Sequence, residues 1–335
     1  MNKVLITGAS GFIGSFLVEE ALRQGLDVYA GVRTTSNLEY LSDKRIKIIE
    51  LDLSLQEALK VKFDWLTREH GSFDYVIHNA GITYAPAIKD FMTVNYTGTI
   101  NLINALRVSS MPLKKFVFVS SLAVFGPGNG ETFEPIKIGD SPHPISSYGK
   151  SKLMAEEYIR SHSTFPYLIL NSTAVYGPRD KDFFGLMRLI NCGFEIYIGD
   201  GRQMISLIYV KDLANAVITV MKSHIVNHSY LLSDGSHYDK EYLVDIIKRI
   251  LKKKTLKLRL PTTPLRWTVA VVDQIQLLLG KRPFLNIEKV REISSANWTC
   301  DSKEIFGEIA AFPQFTLEKG MEETLTWYQK QGWLK

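Results

Sequence analysis

The 335-residue chain contains only two cysteines, Cys192 and Cys300, far apart in sequence. That excludes a disulfide framework and a paired-cysteine metal site, and fits a reducing compartment, so a cytoplasmic setting is expected. Histidine is also scarce, at seven residues. His224 and His228 stand at i, i+4 spacing, but no glutamate follows His224 as a zinc-protease motif requires. Both are read as surface residues, and no metal is expected. No apolar run reaches the ~20 residues that span a bilayer. The most apolar stretch, Trp267–Leu279, is interrupted by Asp273, Gln274 and Gln276. The N-terminal MNKVLITGAS is too short in its apolar part for a signal peptide and is broken by glycine. Internal repeats and low-complexity tracts are absent.

What is present describes a folded chain rather than a disordered one. Hydrophobic residues make up 45% and charged residues 22%, which predicts a sizeable core. The net charge of +5 is mild, and no nucleic-acid partner is expected from it. Lysines cluster in KRILKKKTLKLR, Lys248–Arg259, which reads as a solvated helix end.

Short apolar runs alternate with amphipathic segments. KVLIT, DVYAGV, IKIIELD, YVIHNAG, KFVFVSS and YLILNS are strand candidates. Helical patterns separate several of them, notably Asn95–Arg107 and Tyr148–His162. Such alternation with continuously apolar strands predicts an α/β fold, a doubly wound parallel sheet of the Rossmann type. Residues 1–178 are expected to form the dinucleotide-binding domain, with a return segment near 205–233. Residues 179–335 are expected to form mainly a smaller α/β substrate domain.

Three motifs carry chemistry. GASGFIG, with Gly8, Gly11 and Gly14, follows the first strand and precedes a helix. Glycines there allow a tight turn and close backbone approach to a pyrophosphate at a helix N-terminus. The second strand ends in Val32 and Arg33, with Thr34, Thr35 and Ser36 beyond and no acid at the tip. An arginine at this place suits a 2′-phosphate, whereas a carboxylate would take the ribose hydroxyls. Finally, Ser121 closes the fifth strand, and SSYGKSK sets Tyr148 four residues before Lys152. On a helix the two share a face, roughly 5–6 Å apart at Cβ. A lysine so placed is expected to lower the phenol's pKa and ready it for proton transfer.

GASGFIG, NAG, VNYTGTINLINA, VSSLAVFG, YGKSK, VYGPR and IYVKDLANAV, taken in order, resemble the extended short-chain dehydrogenase/reductase superfamily. The resemblance implies Tyr148 as acid/base, Lys152 on the nicotinamide ribose and Ser121 on the substrate oxygen. It implies that Gly8, Ser10, Gly11, Phe12 and Ile13 line the pyrophosphate. Asp52 and Leu53 would flank the adenine, Asn79, Ala80 and Gly81 would lie beneath the cofactor, and Val175 would border it. A homodimer through the helices Asn95–Arg107 and Tyr148–His162 is also implied by resemblance.

Departures from the superfamily pattern narrow the branch. Leu122 and Ala123 follow Ser121 where sugar dehydratases typically carry Asp-Glu. Ala174 and Ile205 stand where sugar epimerases typically carry diphosphate-binding asparagine and arginine. What remains is similar to dihydroflavonol reductases and 3β-hydroxysteroid dehydrogenases. The expected activity is an NADP(H)-dependent oxidoreductase of a secondary alcohol or ketone, with NAD as a possible cofactor. A nucleotide-sugar or lipid-linked sugar epimerase is the alternative.

Overall fold

The computed structural model describes residues 1–335 except 86, 110, 200, 263–268, 270–286, 310–312 and 335. Trp267–Leu279 therefore lies outside the described residues apart from Val269, as does most of the segment from 264 to 283.

The apolar runs form strands because most are buried on both faces; the edge strand Lys47–Glu50, with only Ile49 buried, is the exception. β1 (Lys3–Thr7), β2 (Asp27–Val32), β3 (Lys47–Glu50), β4 (Tyr75–His78), β5 (Lys115–Ser121) and β6 (Tyr167–Ser172) are joined by β11 (His228–Leu232). Their order is β11-β6-β5-β4-β1-β2-β3, and every pairing is parallel. One face is covered by α1 (Phe12–Arg23) and α7 (Val210–Lys222), in a cluster with Phe16, Leu17, Leu213 and Val217. The other face is covered by α2 (Gln56–His70), α4 (Gly98–Val108) and α5 (Ser147–His162), around Phe63, Leu102, Phe116 and Ile159. This is the doubly wound parallel sheet that β-α alternation predicts.

A further apolar cluster gathers α6 (Asp182–Asn191), α8 (Lys240–Leu251) and the helix Leu317–Lys330 around Tyr176, Tyr209 and Tyr328. Short strands flank it: β7 (Ala174–Tyr176) with β10 (Leu207–Tyr209), and β8 (Phe194–Ile198) with β13 (Leu256–Leu260). β9 (Met204–Ile205) takes β12 (Tyr238–Asp239) on one side and β14 (Asn297–Trp298) on the other.

Two local expectations are corrected. The helix expected over Asn95–Arg107 is preceded by a π-helical turn, Met92–Thr97, that contains Asn95. The wider turn lets the Asn95 side chain reach the backbone of Ile82, a tertiary demand that periodicity does not report. The lysine-rich run is a helix end only to Leu251. Lys252 takes a left-handed conformation, φ 53°, and LKLRL then pairs with β8 as a strand.

Candidate active site

The turn after β1 is built by close backbone approach. Gly8 has φ +66°, and a Cβ there would stand 2.7 Å from the Ala80 Cα. A Cβ on Gly14 would stand 2.8 Å from the Gly8 carbonyl carbon and 2.9 Å from the Ala9 Cα. Gly11 is the N-cap of α1 and offers no side-chain cap to the first-turn amides. Those amides, with the positive end of the helix, suit an anion. Ser10, Phe12 and Ile13 are half-buried around the turn, and Phe12, Ile13 and Val175 pack on the same apolar cluster. This cradle fits a dinucleotide pyrophosphate, since its tight turn, which a side chain at Gly8 or Gly14 would force apart, leaves the first-turn amides of α1 uncapped.

The floor of the cradle is the end of β4. Asn79 donates to the Gly8 carbonyl at 3.5 Å, and the Ala80 amide donates to Thr7 Oγ1 at 3.2 Å. From Thr7 a chain of hydrogen bonds runs inward. Thr7 Oγ1 meets His78 Nδ1 at 2.8 Å, His78 Nε2 meets Thr99 Oγ1 at 2.9 Å, and Thr99 donates to the Asn95 carbonyl at 2.6 Å. Because the Thr99 proton is committed to Asn95, His78 donates from Nε2, and with the ring neutral it accepts from Thr7 at Nδ1. Burial, with a smaller contribution from Lys152, pulls the ring's pKa down to about 3.

Asn95, His78 and Thr99 were not among the residues singled out in the sequence. A carboxamide in a helical stretch gives no periodic signal. Asn95 Nδ2 also donates to Ser151 Oγ at 3.0 Å, which ties the π turn to α5. A Cβ on Gly81 would lie 3.1 Å from Asn95 Oδ1 and 3.5 Å from Lys152 Nζ, so the three residues converge.

At the other wall, Ser121 ends β5 and accepts from the Ala123 amide at 3.2 Å. The structure brings it together with Tyr148. Ser146 caps α5 through the Gly149 amide at 3.2 Å, which sets Tyr148 in the first turn beside Ser121. Burial pushes the Tyr148 phenol up to about 12, and its hydrogen bond with Ser121 opposes that rise. The lowering expected from Lys152 therefore does not dominate. Lys152 is itself buried, with Nζ donating to the Val119 carbonyl at 2.9 Å and lying 4.5 Å from the Phe118 ring centroid. Burial pulls its pKa down to about 8, against the opposing charge of Glu156. A desolvated ammonium and a desolvated phenol shift in opposite directions, each toward its neutral form.

Glu156 extends the i, i+4 series by one turn. It accepts from Ser120 Oγ and from Asn171 Nδ2, both at 2.5 Å, and pairs with Arg160 at 2.8 Å. Asn171 donates as well to the Ser121 carbonyl at 3.3 Å. The spacing YxxxKxxxE could have pointed to Glu156. No sequence signal points to Glu288, on α9 (Ile287–Ser294), which binds the start of α5. Its two oxygens accept from the Ser147 amide at 2.9 Å and the Ser147 hydroxyl at 2.7 Å.

The adenosine end is more open. Arg33 is exposed, and its amide donates to Ser36 Oγ at 3.1 Å. Asp52 is exposed and bonded to Ser54. That contact, with a smaller share from the Arg33 charge, holds its carboxyl below the usual range. Leu53 is fixed by Asn101, which donates to its carbonyl at 2.8 Å.

Residues 4–232 match the NAD dependent epimerase/dehydratase family. The chain belongs to that family. It is an enzyme of the extended short-chain dehydrogenase/reductase type, using a nicotinamide dinucleotide. It is 26% identical over 334 residues to a ceramide reductase of Caulobacter vibrioides, covering 99% of this chain and 96% of the relative. A UDP-glucose 4-epimerase of Vibrio cholerae is 28% identical over 273 residues, covering 78% and 79% respectively. In fold the chain is similar to a UDP-glucose 4-epimerase of Thermotoga maritima, with TM-score 0.78 and 21% identity over 98% of this chain and 99% of that one.

Gly149 tests whether the placement of Tyr148 matters. A Cβ there would run into the Ala123 carbonyl oxygen and stand 3.0 Å from Pro144 Cβ. Gly149→Ala should push the start of α5 off the β5 end and lower turnover by ~10²-fold. Cofactor affinity measured by calorimetric titration should change little; unchanged turnover would show that this wall tolerates movement.

Proposed function

We propose that this enzyme is an NADP(H)-dependent oxidoreductase that interconverts a secondary alcohol and a ketone of low polarity. The observation that carries the reading is the Tyr148 phenol, held in the first turn of α5 beside Ser121 and kept protonated across the neutral range by burial. A protonated phenol at the carboxyl edge of the sheet is a proton donor to a carbonyl oxygen. The Ser121 hydroxyl holds that same oxygen. The Lys152 ammonium, close by in the same helix, stabilises the phenolate left when the proton leaves and binds ribose hydroxyls. Residues 1–178 with a return near 205–233 hold the cofactor, and 179–335 mainly hold substrate. Gly8, Ser10, Gly11, Phe12 and Ile13 take the pyrophosphate, Asp52 and Leu53 the adenine. Asn79, Ala80, Gly81, Tyr148, Lys152 and Val175 take the remainder. When bound, the dinucleotide supplies the two-electron exchange with the substrate carbon.

Leu122 and Ala123 carry no titratable proton for an elimination, and Ile205 cannot make the charge-assisted contact that an arginine makes with a diphosphate. The Caulobacter relative is by name a reductase of ceramide. The alternative, a sugar-nucleotide epimerase, draws support from the epimerase relatives; a polar cavity of about 210 Å³ is lined by Arg202, Gln203, Lys240 and Arg259, but also by Asp239 and Glu241, which pair with its two arginines. Lys240 there donates to Gln203 Oε1 at 3.0 Å, and burial pulls its pKa down to about 8. We place the enzyme in the cytoplasm, in keeping with the free thiols of Cys192 and Cys300.

Incubation with NADP+ and a panel of secondary alcohols and sugar nucleotides should give reduced cofactor with an alcohol. Epimerisation of a sugar nucleotide without net reduction would overturn the reading. Tyr148→Phe should lower turnover by ~10²–10⁴-fold with cofactor affinity nearly intact; a Phe variant that keeps its activity removes Tyr148 from the chemistry.

Cofactor preference rests on Arg33. A planar guanidinium suits phosphate oxygens, and charged hydrogen bonds contribute ~1.5–3 kcal/mol. NADP(H) should bind ~10–100-fold more tightly than NAD(H). Arg33→Ala should erase most of that difference and leave NAD(H) affinity unchanged in calorimetric titration. Equal or NAD-favouring affinities in the wild type would reverse the assignment.

The same reading includes a homodimer paired through α4 and α5. Light scattering at micromolar protein should return twice the chain mass, and a monomer mass would end it.

A further inference from the structure

The two-stranded sheet of β8 and β13 is folded with its apolar side outward. In the parallel register Phe194 lies opposite Leu256, Ile196 opposite Leu258, and Ile198 opposite Leu260. Opposed residues share a face and successive residues alternate. One face therefore carries these six apolar side chains, and the other carries Glu195, Tyr197, Lys257 and Arg259. Burial runs against the usual pattern. Glu195 and Tyr197 are buried and Ile196 and Ile198 half-buried, whereas Phe194 is 43% exposed and Leu256, Leu258 and Leu260 are 59%, 36% and 37% exposed; Lys257 and Arg259 are exposed as well.

The orientation is fixed by ion pairs. Glu195 pairs with Lys248 at 3.0 Å. Lys257 and Arg259 both pair with Glu241 and lie over the Tyr197 ring, 5.0 and 5.4 Å from its centroid. Turning the sheet over would break all three pairs. The chain entering β13 carries Lys252, Lys253 and Lys254, all exposed and without an acidic partner among the described residues. Lys254 lies beside Gly193, the residue before Phe194, and Leu256 donates its amide to the Gly193 carbonyl at 2.8 Å. Unpaired cations thus adjoin the end of the face where Phe194 and Leu256 stand.

We propose that this face docks the enzyme on an anionic lipid surface. Outward apolar side chains match the acyl boundary, and the neighbouring lysines match the phosphate layer above it. A nucleic acid would satisfy the lysines and leave four exposed apolar side chains in water. A contact with a second copy would bury the leucines but offer the lysine runs no countercharge. No described helix is long and apolar enough to cross a membrane, and the contact proposed is with the lipid surface. It does not depend on which reaction the site catalyses.

Sedimentation of the full chain with vesicles tests it. The protein should sink with phosphatidylcholine–phosphatidylglycerol vesicles and not with phosphatidylcholine alone, and added salt should release it. A lysine near an anionic surface adds on the order of fivefold to partitioning. The triple change Lys252→Glu, Lys253→Glu, Lys254→Glu should therefore weaken binding by ~10²-fold or more. Leu256→Ser with Leu258→Ser should weaken it at least about tenfold. Unchanged thermal midpoints check that both variants fold, and Phe194→Ser with Leu260→Ser repeats the apolar test if one does not. No sedimentation with the mixed vesicles at low salt would overturn the proposal. So would undiminished binding in the leucine variants, or self-association abolished by Leu256→Ser without any vesicle binding.

Discussion

The arrangement of the site depends on how one ammonium is buried. An isolated cation inside a protein is costly, and it persists where polar atoms and countercharge surround it. Lys152 has a single backbone acceptor on β5, an aromatic ring beneath it and Glu156 one turn further along α5. Glu156 would in turn be an unsupported buried anion, but Ser120, Asn171 and Arg160 share its charge, and Arg160 carries the series toward solvent. These contacts reach β5 and β6 together. They fix how α5 sits along the sheet, and Tyr148 inherits its position from that fit.

The same burial explains why the phenol and the ammonium are displaced toward neutrality from opposite sides. A sequence reading that counts only the charge of Lys152 predicts a more acidic tyrosine. The folded chain adds the desolvation of both groups, and for Tyr148 that is the larger contribution. The consequence is a tyrosine suited to giving a proton at neutral pH, with its partner serine already engaged.

The sheet was legible because its strands are continuously apolar and its glycine turn stands where only close backbone contact explains it. The places of Tyr148, Lys152 and Ser121 in the fold were legible, since each falls at a strand end or at a helical spacing. Asn95 and His78 were not, since their partners, Ile82, Ser151, Thr7 and Thr99, come from other elements. Local pattern also misread the lysine-rich run. The alternation in LKLRL signals a strand, but the direction in which its leucines point is decided by Glu241, which pairs with Lys257 and Arg259. Charge pairing across elements overrode the hydrophobic rule there.

Glu288 has a consequence for how the protein is made. It closes the first turn of α5 from 141 residues further along the chain. During synthesis all seven strands of the main sheet leave the ribosome before it does, so the sheet can assemble while the start of the tyrosine helix still lacks its carboxylate partner. The last step in setting Tyr148 thus waits until Glu288 has emerged. A nascent chain can possess the whole nucleotide cradle without yet possessing a finished active site.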